Sequence, residues 1–176
     1  MKNNRKSVLF CFLFTAAFAA QSAPFQGNHG RVSMQGAVID SACAIAVESR
    51  EQTIDMGRVP LSDIIRNGQG RSKDFAIKLI NCVLERPGKI NWRQFRIVFD
   101  GDADGALFGV HGQASGVGLQ ITADDGRVIT PGAVVPATDI VPGDMLLNYT
   151  LKLVANRHAL KAGNYSSIIR FRLDYF

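Results

Sequence analysis

Residues 100 to 105, "DGDADG", set Asp100, Asp102, Asp104 and Gly105 at positions 1, 3, 5 and 6 of an EF-hand calcium loop, with Leu107 at the apolar position 8. Hard carboxylate oxygens at that spacing could hold calcium. Position 12, where a bidentate Glu should close the coordination shell, is His111, and the preceding "RIVF" reads as strand rather than as an entering helix. An acidic, glycine-rich β-turn explains these residues better.

Residues 109 to 118, "GVHGQASGVG", hold four glycines, and backbone amides freed of side chains can cradle phosphate. The Lys-Ser/Thr of a P-loop is missing and so is its strand-turn-helix setting, which leaves turns and tight backbone approach as the reading. A hydrolase needs a nucleophile and an orienting base. The histidines are His29, His111 and His158, none beside an apparent partner, and neither G-x-S-x-G nor H-E-x-x-H occurs. The residues therefore point to no catalytic centre, no metal and no cofactor.

The remaining reactive side chains are three cysteines, and the start of the chain reduces them to two. "MKNNRK" leads into the apolar run "SVLFCFLFTAAFAA" and then into small residues, which predicts a secretory signal peptide over residues 1 to 22 with cleavage between 19 and 23. Cys11 falls inside that leader. Cys43 and Cys82 remain, an even number in an exported chain, and favour a disulfide, since neither a CxxC nor a nearby His pair supports a metal site. Closing a loop of about 40 residues contributes on the order of 4 kcal/mol in the chain-entropy model. The leader also carries Lys2, Arg5 and Lys6, so the net charge of +5 falls to +2 without it. So small an excess, with no Lys/Arg cluster, gives no reason to propose nucleic acid as a partner.

About 155 residues then have to position whatever chemistry there is, which is one domain by size. Short runs rich in Val, Ile, Leu and Phe, punctuated by Gly, Asn, Asp and Pro, predict an all-β fold. Strands are expected at residues 30 to 39, 74 to 82 (Phe75, Ile77 and Leu79 on one face), 95 to 101, 118 to 126, 146 to 156 and 166 to 176. Leu61, Ile64 and Ile65 predict a short helical turn ahead of a glycine-rich loop in "VPLSDIIRNGQGRS". With one long-range disulfide, the set points to a two-sheet sandwich. Both ends of the domain are strands without charged caps, so they either pair with each other in a closed sandwich or offer an edge to a partner.

The residues at both ends resemble the pilin subunits assembled by the chaperone–usher pathway of Gram-negative bacteria. "GRVSMQGAVIDSAC" is similar to the pilin first strand ending in its cysteine, "DFAIKLINC" to the strand carrying the disulfide partner, and "QASGVGLQITADDG" to a later strand and turn. Counting back from Phe176 as the first, Gly163 is the fourteenth residue and Tyr175 the penultimate, the C-terminal signature of these subunits.

The resemblance implies an incomplete immunoglobulin-like β-sandwich that lacks its seventh strand, with a hydrophobic groove beside the C-terminal strand. A periplasmic pilus chaperone would lend a strand to the groove and hold the terminal carboxylate on Phe176. At the outer-membrane usher, the N-terminal extension of another pilin subunit would replace it. Here the extension would span residues 23 to 38, with Gly30, Val32, Met34, Gly36 and Val38 on the inserting face, ahead of a domain over 39 to 176. The groove strand would present Gly163, Ile169, Phe171, Leu173, Tyr175 and Phe176. "IDMGRVPLSDIIRNG" and "FRLDYF" are most similar to the minor pilin that terminates and anchors a P-pilus-like fibre, carried through the periplasm to the cell surface. A rod or adaptor pilin is the alternative within the family. A self-contained secreted β-sandwich that binds a small ligand or calcium is the alternative outside it.

Overall fold

The computed structural model describes residues 30–176. The predicted signal peptide, Cys11, His29 and the first part of the predicted extension lie outside the described residues. The chain divides into two units, Met1–Val38 and Ile39–Phe176. In the described part of the first, residues 30–38 form neither helix nor strand, and Val32, Met34 and Val38 are exposed.

The second unit is built almost wholly of strands. β1 (Ala44–Ile45) is followed by two short helices, α1 (Val47–Arg50) and α2 (Leu61–Asn67), and by the long β2 (Gln69–Cys82). Next come β3 (Gln94–Asp100), β4 (Ala103–Asp104), β5 (Leu107–Phe108), β6 (His111–Gly112), β7 (Val117–Ala123), β8 (Val128–Ile129) and β9 (Thr138–Asp139). The chain closes with β10 (Gly143–Ala155), β11 (Tyr165–Ser166) and β12 (Arg170–Tyr175).

One sheet has the order β1-β2-β10-β7-β5-β4, with β8 also paired to β7, and a second has the order β12-β3-β9. All pairings are antiparallel. Their apolar faces meet in one core: Ile77 and Leu79 of β2, Leu119 and Ile121 of β7 and Leu151 and Leu153 of β10 lie with Phe95, Ile97 and Phe99 of β3. The strand period of two explains this, because every second residue points inward. Phe99 meets Tyr149 edge-on at 5.0 Å between ring centres, a contact between the two sheets.

Two local expectations change. Residues 30 to 39, read as strand from their alternation, carry no strand, because a strand exists only where its backbone groups find a ladder, and among the described residues none is paired with them. Conversely, "GQGRS" after α2 is not a loop. Helix α2 ends on Gly68, whose φ of 71° supplies the left-handed cap, and β2 starts at once, pairing Gln69 with Val154. Gly70 fits there because Val59 Cγ1 lies only 3.0 Å from where a Cβ would stand. Among the described residues no helix is long and apolar enough to cross a membrane.

Candidate functional site

Among the described residues, β12 has a neighbour on one side only. It pairs with β3 from Arg170↔Asp100 to Tyr175↔Phe95, and its other edge is free of ladder partners among the described residues. Beside that edge runs a groove of about 1180 Å³. One wall is the nine-residue stretch 163 to 171, and the other is the stretch 49 to 59, which starts at the end of α1 and continues without forming a strand. Its floor is the sandwich core itself: Phe75, Ile77, Phe99, Leu119, Ile121 and Leu151. Nine residues span about 30 Å when fully extended. That length, with a floor of large aliphatic and aromatic side chains, suits an extended chain segment better than a compact small molecule.

Charge is confined to the walls, where Arg50, Glu51, Asp55, Arg58 and Arg170 stand. Arg50 is turned back, its Nε donating to the Ile45 carbonyl at 3.1 Å, and Gln52 donates to the Ala76 carbonyl at 2.9 Å, which ties this wall to β1 and β2. Tyr165 also lines the groove, and its hydroxyl is buried without a hydrogen-bond partner among the described residues. Burial, and then the Asp55 carboxylate, push this phenol up from its ordinary value.

The predicted groove residues separate along the strand. Gly163, Ile169 and Phe171 line the groove. Leu173 and Tyr175 share the inward face of β12 but pack further along against the core, where Tyr175 meets Trp92 and Phe95 at 5.9 and 6.1 Å between ring centres. Phe176 lies beyond the groove. Its N–H donates to the Gln94 carbonyl, and a terminal oxygen accepts from the amides of Arg93 and Gln94 at 3.0 and 3.1 Å. The groove thus begins earlier in sequence than the strand pattern alone suggests. Gly163 owes its identity to the opposite side of the chain, since a Cβ there would stand 2.6 Å from Gln113 Cβ and 2.7 Å from the Ala114 nitrogen. The predicted donor residues Gly30, Val32, Met34, Gly36 and Val38 belong to the other unit.

The wall at 49 to 59 has no counterpart among the strands expected from the sequence. Its signal is modest: Ile54 and Met56 alternate with Thr53, Asp55 and Gly57, and both pack against the core.

Cys43 and Cys82 form a disulfide, as expected, with their Cα atoms 4.1 Å apart. The acidic stretch is a turn: Asp100 ends β3, and β4 and β5 form a hairpin around Gly105, whose φ is 62°. Asp102 pairs with His111 at 2.5 Å and Asp104 accepts from Asn156 at 2.5 Å. Among the described residues no three His, Cys, Asp or Glu side chains cluster as metal ligands. The glycines of "GVHGQASGVG" permit close approach: Gly116, at φ 80°, leaves 2.7 Å between a would-be Cβ and Leu160 Cα.

A family model described as "Fimbrial protein" matches residues 32–175. The PRS and PAP fimbrial minor pilin proteins of Escherichia coli are each 35% identical over 150 residues, covering 83% of this chain and 77% of theirs. A solved chaperone-usher pilus structure matches with a TM-score of 0.68 at 25% identity, covering 86% of this chain and 97% of that one.

Proposed function

The chain belongs to the fimbrial protein family and is a non-enzymatic structural subunit of a surface-displayed pilus whose partners include other pilin subunits; from that premise we propose that it is a minor pilin that terminates and anchors the fibre. The groove beside the free edge of β12 is the observation that supports the assembly reading, because a donated strand would find there both an unpaired edge and an apolar floor. A strand laid there would gain main-chain hydrogen bonds from the edge and bury alternate side chains over Phe75, Ile77 and Phe99. In the periplasm a pilus chaperone supplies that strand, and at the outer-membrane usher the chain is handed on. Residues 1 to 22 direct export. Residues 23 to 38 then fill the groove of another subunit, with Val32, Met34 and Val38 as the large inserting side chains.

The terminator role draws its support from the minor pilins at 35% identity. The openness of the groove to an extended segment favours a second reading, a rod or adaptor pilin whose groove accepts the next subunit. The two part in one experiment. The chaperone-bound subunit is mixed with a peptide copying another subunit's extension, and chaperone release is followed. A terminator keeps its chaperone; ready release assigns the rod or adaptor role.

A further inference from the structure

The loop from β2 to β3 holds a charged side chain that the groove does not use. The Arg86 guanidinium lies 3.7 Å from the centre of the Trp92 ring. Its Nη1 donates to the Ile90 carbonyl at 3.4 Å, and its Nη2 donates to the Asp40 carboxylate. Lys89 Nζ donates to the same Asp40 oxygen at 2.8 Å. The loop braces itself, since the Arg86 amide donates to Asn91 Oδ1 at 3.1 Å and the Trp92 amide to the Leu84 carbonyl at 2.8 Å.

Surface ion pairs usually contribute little because two long side chains must be immobilised to make them. Here Arg86 is already immobilised: its side chain is only 19% exposed and it stacks on an indole. Asp40, a short side chain, meets a prepared site. The neighbouring cations, Lys89 and then Arg86, hold its carboxyl below the usual carboxylate range.

Asp40 is the second residue of the unit that starts at Ile39. Just after it, the Ala42 carbonyl accepts from the Val83 amide at 2.8 Å, and Cys43 is held by both its disulfide and the Tyr175 hydroxyl. We propose that Asp40 is a positioning residue for assembly, whose capture by Arg86 and Lys89 anchors the start of the domain, where the N-terminal extension joins it, and holds Ala42, Cys43 and Tyr175 in register. The anchoring stands on the geometry alone. Its use in assembly rests on residues 23 to 38 being the donor extension.

Amide exchange of the full mature chain, held by its chaperone, tests it. In Asp40→Asn the Val83 amide should exchange about fivefold faster, the size expected for an ion pair near the top of the surface range. The Leu151 amide, inside the central ladder, should not change, and Asp40→Glu should restore much of the Val83 protection. In the unmodified chain, salt raised to about 1 M should also speed Val83. Unchanged Val83 exchange in Asp40→Asn overturns the proposal, as does equal acceleration of Val83 and Leu151. Should that variant not be recovered folded, the salt series decides, and an indifferent Val83 overturns it. A chain that shows this response but whose extension no other subunit takes up would overturn the donor reading and leave the anchor standing.

Discussion

The Tyr175 hydroxyl reaches the carbonyl oxygen of Cys43 at 3.5 Å, joining the penultimate residue to one 132 positions earlier. Cys43 is also bonded to Cys82, so the end of the last strand, the start of the domain and the end of β2 meet at one place. The groove strand is therefore fixed at its far end by Tyr175, while its near end, past Phe171, borders the groove.

Cutting the covalent part of this junction should be costly. The double substitution Cys43→Ser and Cys82→Ser removes a crosslink between residues 39 apart. It should lower stability by on the order of 4 kcal/mol. Urea unfolding of the chaperone-free subunit would show the loss, and its recovery from the periplasm should fall with it. Unchanged recovery would count against the bond as a main support of the fold.

The alternation of β12 makes a paired test possible. Phe171 lines the groove and stands 6.1 Å from Phe99 between ring centres, whereas Arg172 points outward and is exposed. Phe171→Asp should abolish co-purification with the chaperone, because a carboxylate would face an apolar floor with no partner. Arg172→Asp should leave co-purification nearly intact. Equal effects from the two would mean that the inward face does not carry the interaction.

All three tyrosines resist ionisation. Burial pushes Tyr149 up to about 12, and raises Tyr165 and Tyr175 as well. A folded-state pKa above the unfolded value means that the native form holds the proton more tightly. This contribution is therefore complete below about pH 10 and is lost as pH rises through the folded values, which for Tyr149 means up to about 12. Tyrosinate absorbance should stay low at pH 10 in the native subunit and then rise together with unfolding. Half-titration near pH 10 with the fold intact would contradict the buried placement.

Much of the sandwich was legible in the sequence because each strand buries one face. Phe75, Ile77 and Leu79 in β2, and Phe171, Leu173 and Tyr175 in β12, alternate as the pleat requires. The pair Cys43 and Cys82 was legible from export and an even count. Residues 30 to 39 alternate equally well and are not a strand, since alternation reports a face and not a ladder partner. The glycines at 68 and 70 looked like a loop because neither the cap after Asn67 nor the closeness of Val59 can be read locally. The groove's second wall is not legible in the sequence for a related reason. It lies between two helices, and only the tertiary fold brings Ile54 and Met56 opposite Ile169 and Phe171.

The central claim, that the groove beside residues 163 to 171 takes an extended strand, is tested most directly by amide exchange with and without a peptide copying the chaperone's donated strand. Backbone amides along residues 167 to 171 that do not bond to β3 should become protected on binding, while amides in the β10–β7 ladder keep their rates. Protection confined to other surfaces, or binding with no protection along 167 to 171, would contradict the account.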